Sequence, residues 1–68
     1  MGQSVKLDDQ YYAQQSHSEA PWLIRNEEHR VVGHFSAKAG LSWGGAMREA
    51  DKSRVTLLVN EKLSESRV

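Results

Sequence analysis

Without a cysteine anywhere in its 68 residues, the chain must hold a small core together with no disulfide. The same absence removes thiolate zinc sites and cysteine nucleophiles from consideration. A domain of this length buries only about 60% of the surface its unfolded chain exposes. Its core supplies roughly 3–5 kcal/mol at most. Tight packing or a partner chain must do the rest. The sequence therefore predicts one domain over 1–68 that forms a dimer or larger assembly, with frayed ends at 1–3 and 64–68.

Nine basic and nine acidic residues give a formal net charge of zero. The halves differ. Residues 1–35 hold three basic and five acidic side chains, and residues 36–68 hold six basic and four acidic ones. This balance argues against a protein whose whole surface grips phosphate. It allows a local basic face in the second half. The longest aliphatic run, Val55 to Val59, is broken by Thr56 and is far short of the ~20 apolar residues a membrane span needs. No apolar signal stretch opens the chain, and Lys6 stands where a myristoylation motif wants Ser or Thr. The expectation is a soluble cytoplasmic protein with no membrane association.

Ser4-Val5-Lys6-Leu7-Asp8 alternates and reads as a short strand. Asp8 or Asp9 can cap a helix over 9–20 that Pro21 ends. Trp22 to Arg25 and Arg30 to Phe35 are rich in β-branched and aromatic residues around the polar Asn26-Glu27-Glu28-His29, which predicts a β-hairpin. Ser36 can cap a second helical segment over 36–50, either two short helices meeting at Gly40 or one starting near Ser42. Arg54 to Asn60, with Val55, Leu57 and Val59 alternating, reads as a strand. The expected fold is α+β: a three- or four-stranded antiparallel sheet in the order β-α-β-β-α-β, with two helices on one face.

The chemical groups point away from catalysis. His17, His29 and His34 lack the i, i+4 spacing of a helical ligand pair, and His29 with His34, five residues apart across a turn and a strand, has no third ligand. Asp8-Asp9 and Glu27-Glu28 sit in polar surroundings, where nothing raises a carboxylate pKa for acid catalysis. Ser42 lies in Gly40-Leu41-Ser42-Trp43-Gly44, but no histidine follows it to complete a triad. The chain is read as neither an enzyme nor a cofactor protein.

Two patterns suggest gene regulation. Ala39-Gly40-Leu41-Ser42, followed by Ala46, is similar to the turn of a helix-turn-helix, and with a strand at 54–60 the segment resembles the small phage Cro repressors. That resemblance implies contact with double-stranded DNA through Lys38, Trp43, Arg48, Lys52 and Arg54. Ala20-Pro21-Trp22-Leu23-Ile24-Arg25-Asn26, then Val31-Val32 and Phe35-Ser36, resembles the hairpin of the prevent-host-death antitoxins. It implies a DNA-binding dimer that neutralises a toxin, with contacts at Lys6, Arg25 and Arg30. The expected function is a small regulatory DNA-binding protein, repressor- or antitoxin-like. The alternative is a protein-interaction or inhibitor module without nucleic acid, in which Trp22, Phe35 and Trp43 are anchors or simply the core.

Overall fold

A computed structural model describes residues 2–65. It contains β1 (Gln3–Lys6), β2 (Tyr11–Gln15), β3 (Trp22–Asn26), β4 (Val31–Ser36), β5 (Gly40–Trp43) and α1 (Glu49–Glu65). The strands form one five-stranded antiparallel meander in sequence order. The expected β-α-β-β-α-β order, with its three- or four-stranded sheet and two helices, is therefore incorrect: there are five strands and a single helix.

Each error has a local cause. The Asp8 side chain does supply capping bonds, but to a turn. Its Oδ1 accepts from the Gln10 and Tyr11 backbone N–H groups at 2.8 Å each, and Leu7 N–H donates to Tyr11 O at 3.0 Å. These bonds close the β1–β2 hairpin where a helix over 9–20 was expected. Aspartate offers the same short-range acceptor in both settings. Ser36 behaves likewise. Its Oγ accepts from Ala39 N–H at 3.0 Å, and Gly40 takes φ +76°, so the chain reverses into β5 instead of starting a helix.

The predicted hairpin over 22–35 is present as β3 and β4, with Trp22 opposite Phe35 and Leu23 opposite His34. Ile24 then pairs with Gly33 and Arg25 with Val31, which leaves Val32 as the extra residue of a bulge. The bulge keeps Val31 outside while Val32 enters the core. The strand expected near Val5 is also present as β1. Gln3 lies within it opposite Gln15, and most of the expected frayed end at 64–68 falls outside the described residues.

The segment read as a final strand is helical. Val55, Val59 and Leu63 are fully buried and recur at i, i+4, i+8, which places them on one helix face. Leu57, which a strand would have set beside Val55 and Val59, is 65% exposed. Glu49 and Asp51 occupy the first turn and Lys62 the last, the arrangement the helix dipole favours. The buried stripe joins Tyr11, Ala13, Trp22, Ile24 and Val32 of the sheet, together with Leu7 and Met47. One face of the sheet is thus covered by α1, and the other is open.

Candidate nucleic-acid interface

The registers decide which side chains the open face presents. Val5, Ala13 and Ile24 are cross-strand partners, and Ala13 and Ile24 are fully buried beneath α1. The intervening residues therefore point the other way. They form two rows: Lys6, Tyr12, Arg25 and Val31 in one, and Ser4, Gln14, Leu23, His34 and Ser42 in the next. No strand contains an aspartate or glutamate. Among the described residues every carboxylate lies in a turn or on α1. Glu27 and Glu28 lie in the β3–β4 turn, and Asp9 makes an exposed 3.4 Å pair with Lys6. Pairs so exposed are worth little and exchange readily.

Ser4, Gln14, Leu23 and Arg25 also line a cleft of about 610 Å³ at one end of this face. The groups available there are hydroxyl, carboxamide, aliphatic and guanidinium.

The β3–β4 turn frames the other end. Asn26 Oδ1 accepts from the backbone N–H groups of Glu28 and Arg30 at 2.9 and 3.0 Å, and His29 N–H donates to Asn26 O at 2.9 Å. This tight turn puts His29 at φ 66°, a conformation usually given to glycine or asparagine. The Tyr12 hydroxyl and His29 Nδ1 share a hydrogen bond of 2.9 Å, and the two rings meet edge to face with centroids 5.9 Å apart. Arg25 Nη1 donates to the His29 carbonyl at 2.8 Å. Arg25 Nε is buried without a hydrogen-bond partner, a costly state for a charged donor.

The helix side is organised differently. Tyr11 Oη donates to Asp51 Oδ2 at 2.6 Å, Arg48 Nε donates to the same oxygen at 2.8 Å, and Arg54 Nη2 donates to Asp51 Oδ1 and Gln10 Oε1 at 3.2 Å each. Arg54 also pairs with Asp8 and lies 5.8 Å from the Tyr11 ring centroid. The hydrogen bond from Tyr11 holds the Asp51 carboxyl below its ordinary value. Burial, followed by the bond to Asp51, pushes the Tyr11 phenol up.

The residues expected to touch DNA do not converge. Arg48 and Arg54 are tied to Asp51, and Lys52 is paired with Glu49 at 2.7 Å. Trp43 donates from Nε1 to Thr56 Oγ1 of α1 at 3.1 Å and packs on the core. Lys38 stands exposed in the β4–β5 turn. The helix pair that would have presented these residues does not exist. Of the second set, Lys6 and Arg25 flank Tyr12 in one row, and Arg30 is exposed in the adjacent turn. Trp22 belongs to the core, and Phe35 is half-buried and packs against that core.

Sequence reasoning missed the contact between Tyr12 and His29 and the place of His34 on this face. The available signal was Tyr11-Tyr12, an aromatic pair that favours a strand over the helix assigned there. Among the described residues no three His, Asp or Glu side chains are grouped to hold a metal. No described helix is long and apolar enough to cross a membrane. Comparison with protein-family models, curated protein sequences and solved structures gave no match.

Proposed function

We propose that this domain is a small nucleic-acid-binding module that holds a single strand across the open face of its sheet. The observation that carries the reading is the sorting of charge: Lys6 and Arg25 stand on strands with no carboxylate among them. A polyanion is attracted to such a surface and repelled by little on it. Tyr12 and Leu23 supply surface against which bases can pack, and Gln14 and Ser4 supply hydrogen bonds.

Width favours a single strand over the duplex expected from the sequence. Five strands about 4.8 Å apart make a surface roughly 19 Å across. The DNA major groove, about 12 Å wide, admits a helix or a two-stranded ribbon. A cytoplasmic regulatory role remains part of this proposal, now resting on the sheet and not on a recognition helix.

The test is fluorescence anisotropy of a short labelled oligonucleotide at about 50 mM salt. Lys6→Gln and Arg25→Gln should each weaken binding and flatten the salt slope by roughly 0.7 per lost phosphate contact. Arg48→Ala with Lys52→Ala should leave both unchanged. Absence of binding at micromolar protein would end the proposal, and tighter binding to duplex than to single strand would overturn its choice of ligand.

A second reading rests on the edge strand β5, Gly40-Leu41-Ser42-Trp43, which has neither a charge nor a proline to discourage pairing. A second copy or a partner protein could add a strand there. Sedimentation showing only a 7.7 kDa monomer would argue against self-pairing.

A further inference from the structure

We infer that Tyr12, Arg25 and His29 form a preformed seat for a phosphate group at the β3–β4 end of the open face. The inference rests on the nucleic-acid reading above and makes it specific, because it fixes where along the sheet the backbone is held.

The geometry supplies three elements. The first is a histidine held in the left-handed region at the end of the face. At φ 66° glycine is the relaxed occupant, yet the position holds histidine. The second is what that histidine does. Its carbonyl accepts from Arg25 Nη1 at 2.8 Å, and its Nδ1 shares a hydrogen bond of 2.9 Å with the Tyr12 hydroxyl. One backbone position therefore orients a guanidinium and an imidazole together. With Nδ1 engaged by the Tyr12 hydroxyl, Nε2 is the ring nitrogen left for a ligand. The third is the state of Arg25. Among the described residues it makes no ion pair and donates to that carbonyl through Nη1, which leaves its charge without a carboxylate. Arg30, Arg48 and Arg54 do not share this combination: Arg48 and Arg54 are neutralised by carboxylates, and Arg30 lies exposed in the turn.

A guanidinium and an imidazole held in fixed relation suit a tetrahedral anion, because guanidinium N–H groups make charge-assisted hydrogen bonds to phosphate oxygens. Lys6, across β2 from Arg25 in the same row, adds charge on the side from which a strand would continue along the sheet. The chemistry recognised is the phosphate itself. It could be a phosphodiester of a bound strand or a free phosphate ion.

The experiment uses the full chain with two probes, a short labelled oligonucleotide and inorganic phosphate. It compares wild type with His29→Gly, Tyr12→Phe and Lys6→Gln, and a thermal melt accompanies each binding curve. His29→Gly should melt at or above the wild-type temperature, because glycine relaxes the turn. Its affinity for the oligonucleotide should nevertheless fall about tenfold, the scale of one lost charge-assisted contact. Tyr12→Phe should fall by a smaller factor with the fold intact. If His29→Gly and Tyr12→Phe both bind the oligonucleotide within twofold of wild type while Lys6→Gln weakens it, the seat is wrong and the face reading stands. If wild type binds no oligonucleotide, the face reading falls. Phosphate that then shifts the Tyr12, Arg25 and His29 amides in an NMR titration would support a free-ion seat, and unchanged amides would overturn the seat as well.

Discussion

The ring of Trp43 covers Gly33 so closely that a Cβ at position 33 would lie 2.4 Å from Trp43 Cε3 and 2.7 Å from Ser42 O. The two residues are cross-strand partners on the helix side of the sheet, and the indole also donates to Thr56 of α1. Gly33 is thus the floor on which the last strand and the helix are joined. Gly33→Ala should destabilise the fold by about 1–3 kcal/mol, the usual range for overpacking. Chemical denaturation followed by tryptophan fluorescence measures this. Adding Trp43→Leu should recover part of the loss, since two residues in contact do not act additively. A Gly33→Ala protein as stable as wild type would show that the contact is looser than described.

The pH dependence of stability should be set in part by Tyr11 and Asp51. Asp51 is held below its ordinary 3.8, so its contribution is complete above that value and is lost as pH falls through the lower folded-state value. Tyr11 is held above 10.0, so its contribution is complete below pH 10.0 and is lost as pH rises through the higher folded-state value. Urea midpoints measured across pH should therefore decline at both extremes. Tyr11→Phe should remove the alkaline decline and soften the acid one, because Tyr11 is the first cause of the Asp51 shift. An alkaline limb unchanged by Tyr11→Phe would contradict this assignment.

Asp8 serves two masters, and the two can be separated. One carboxylate oxygen closes the β1–β2 turn, while the other pairs with Arg54 of α1. Asp8→Asn keeps an acceptor for the turn and removes the charge, whereas Asp8→Ala removes both. Each net hydrogen bond contributes about 0.5–1.5 kcal/mol. Asp8→Ala should therefore be clearly the less stable of the two by thermal or urea unfolding. Equal losses would mean that the turn bonds contribute nothing measurable.

These contacts also explain what could be read from the sequence. The β3–β4 hairpin was legible because strand propensity on both sides and a polar turn agreed. Asp8 and Ser36 misled because a helix cap and a tight turn use the same side-chain acceptor two or three residues away. Only the partners across the sheet tell them apart. Val55 and Val59 misled because a spacing of four satisfies both strand alternation and one helix face. Leu63, continuing the series, was the deciding residue. Lys6 and Arg25 were identified as a possible binding set, but their relation to Tyr12 and His29 was not. Tyr12 and His29 are 17 residues apart and meet only through the β2–β3–β4 pairing. Neighbourhoods created by register cannot be counted off along a chain.

The central claim is that the open face of the sheet, and not the helix, meets the ligand. The most direct measurement is an NMR titration of isotope-labelled protein with a short single-stranded oligonucleotide at about 50 mM salt. Shifted amides should cluster at Ser4, Lys6, Tyr12, Gln14, Leu23, Arg25 and His34, with Val55, Val59 and the rest of α1 unmoved. Shifts concentrated around Arg48, Lys52 and Arg54, or no shifts at all, would contradict it.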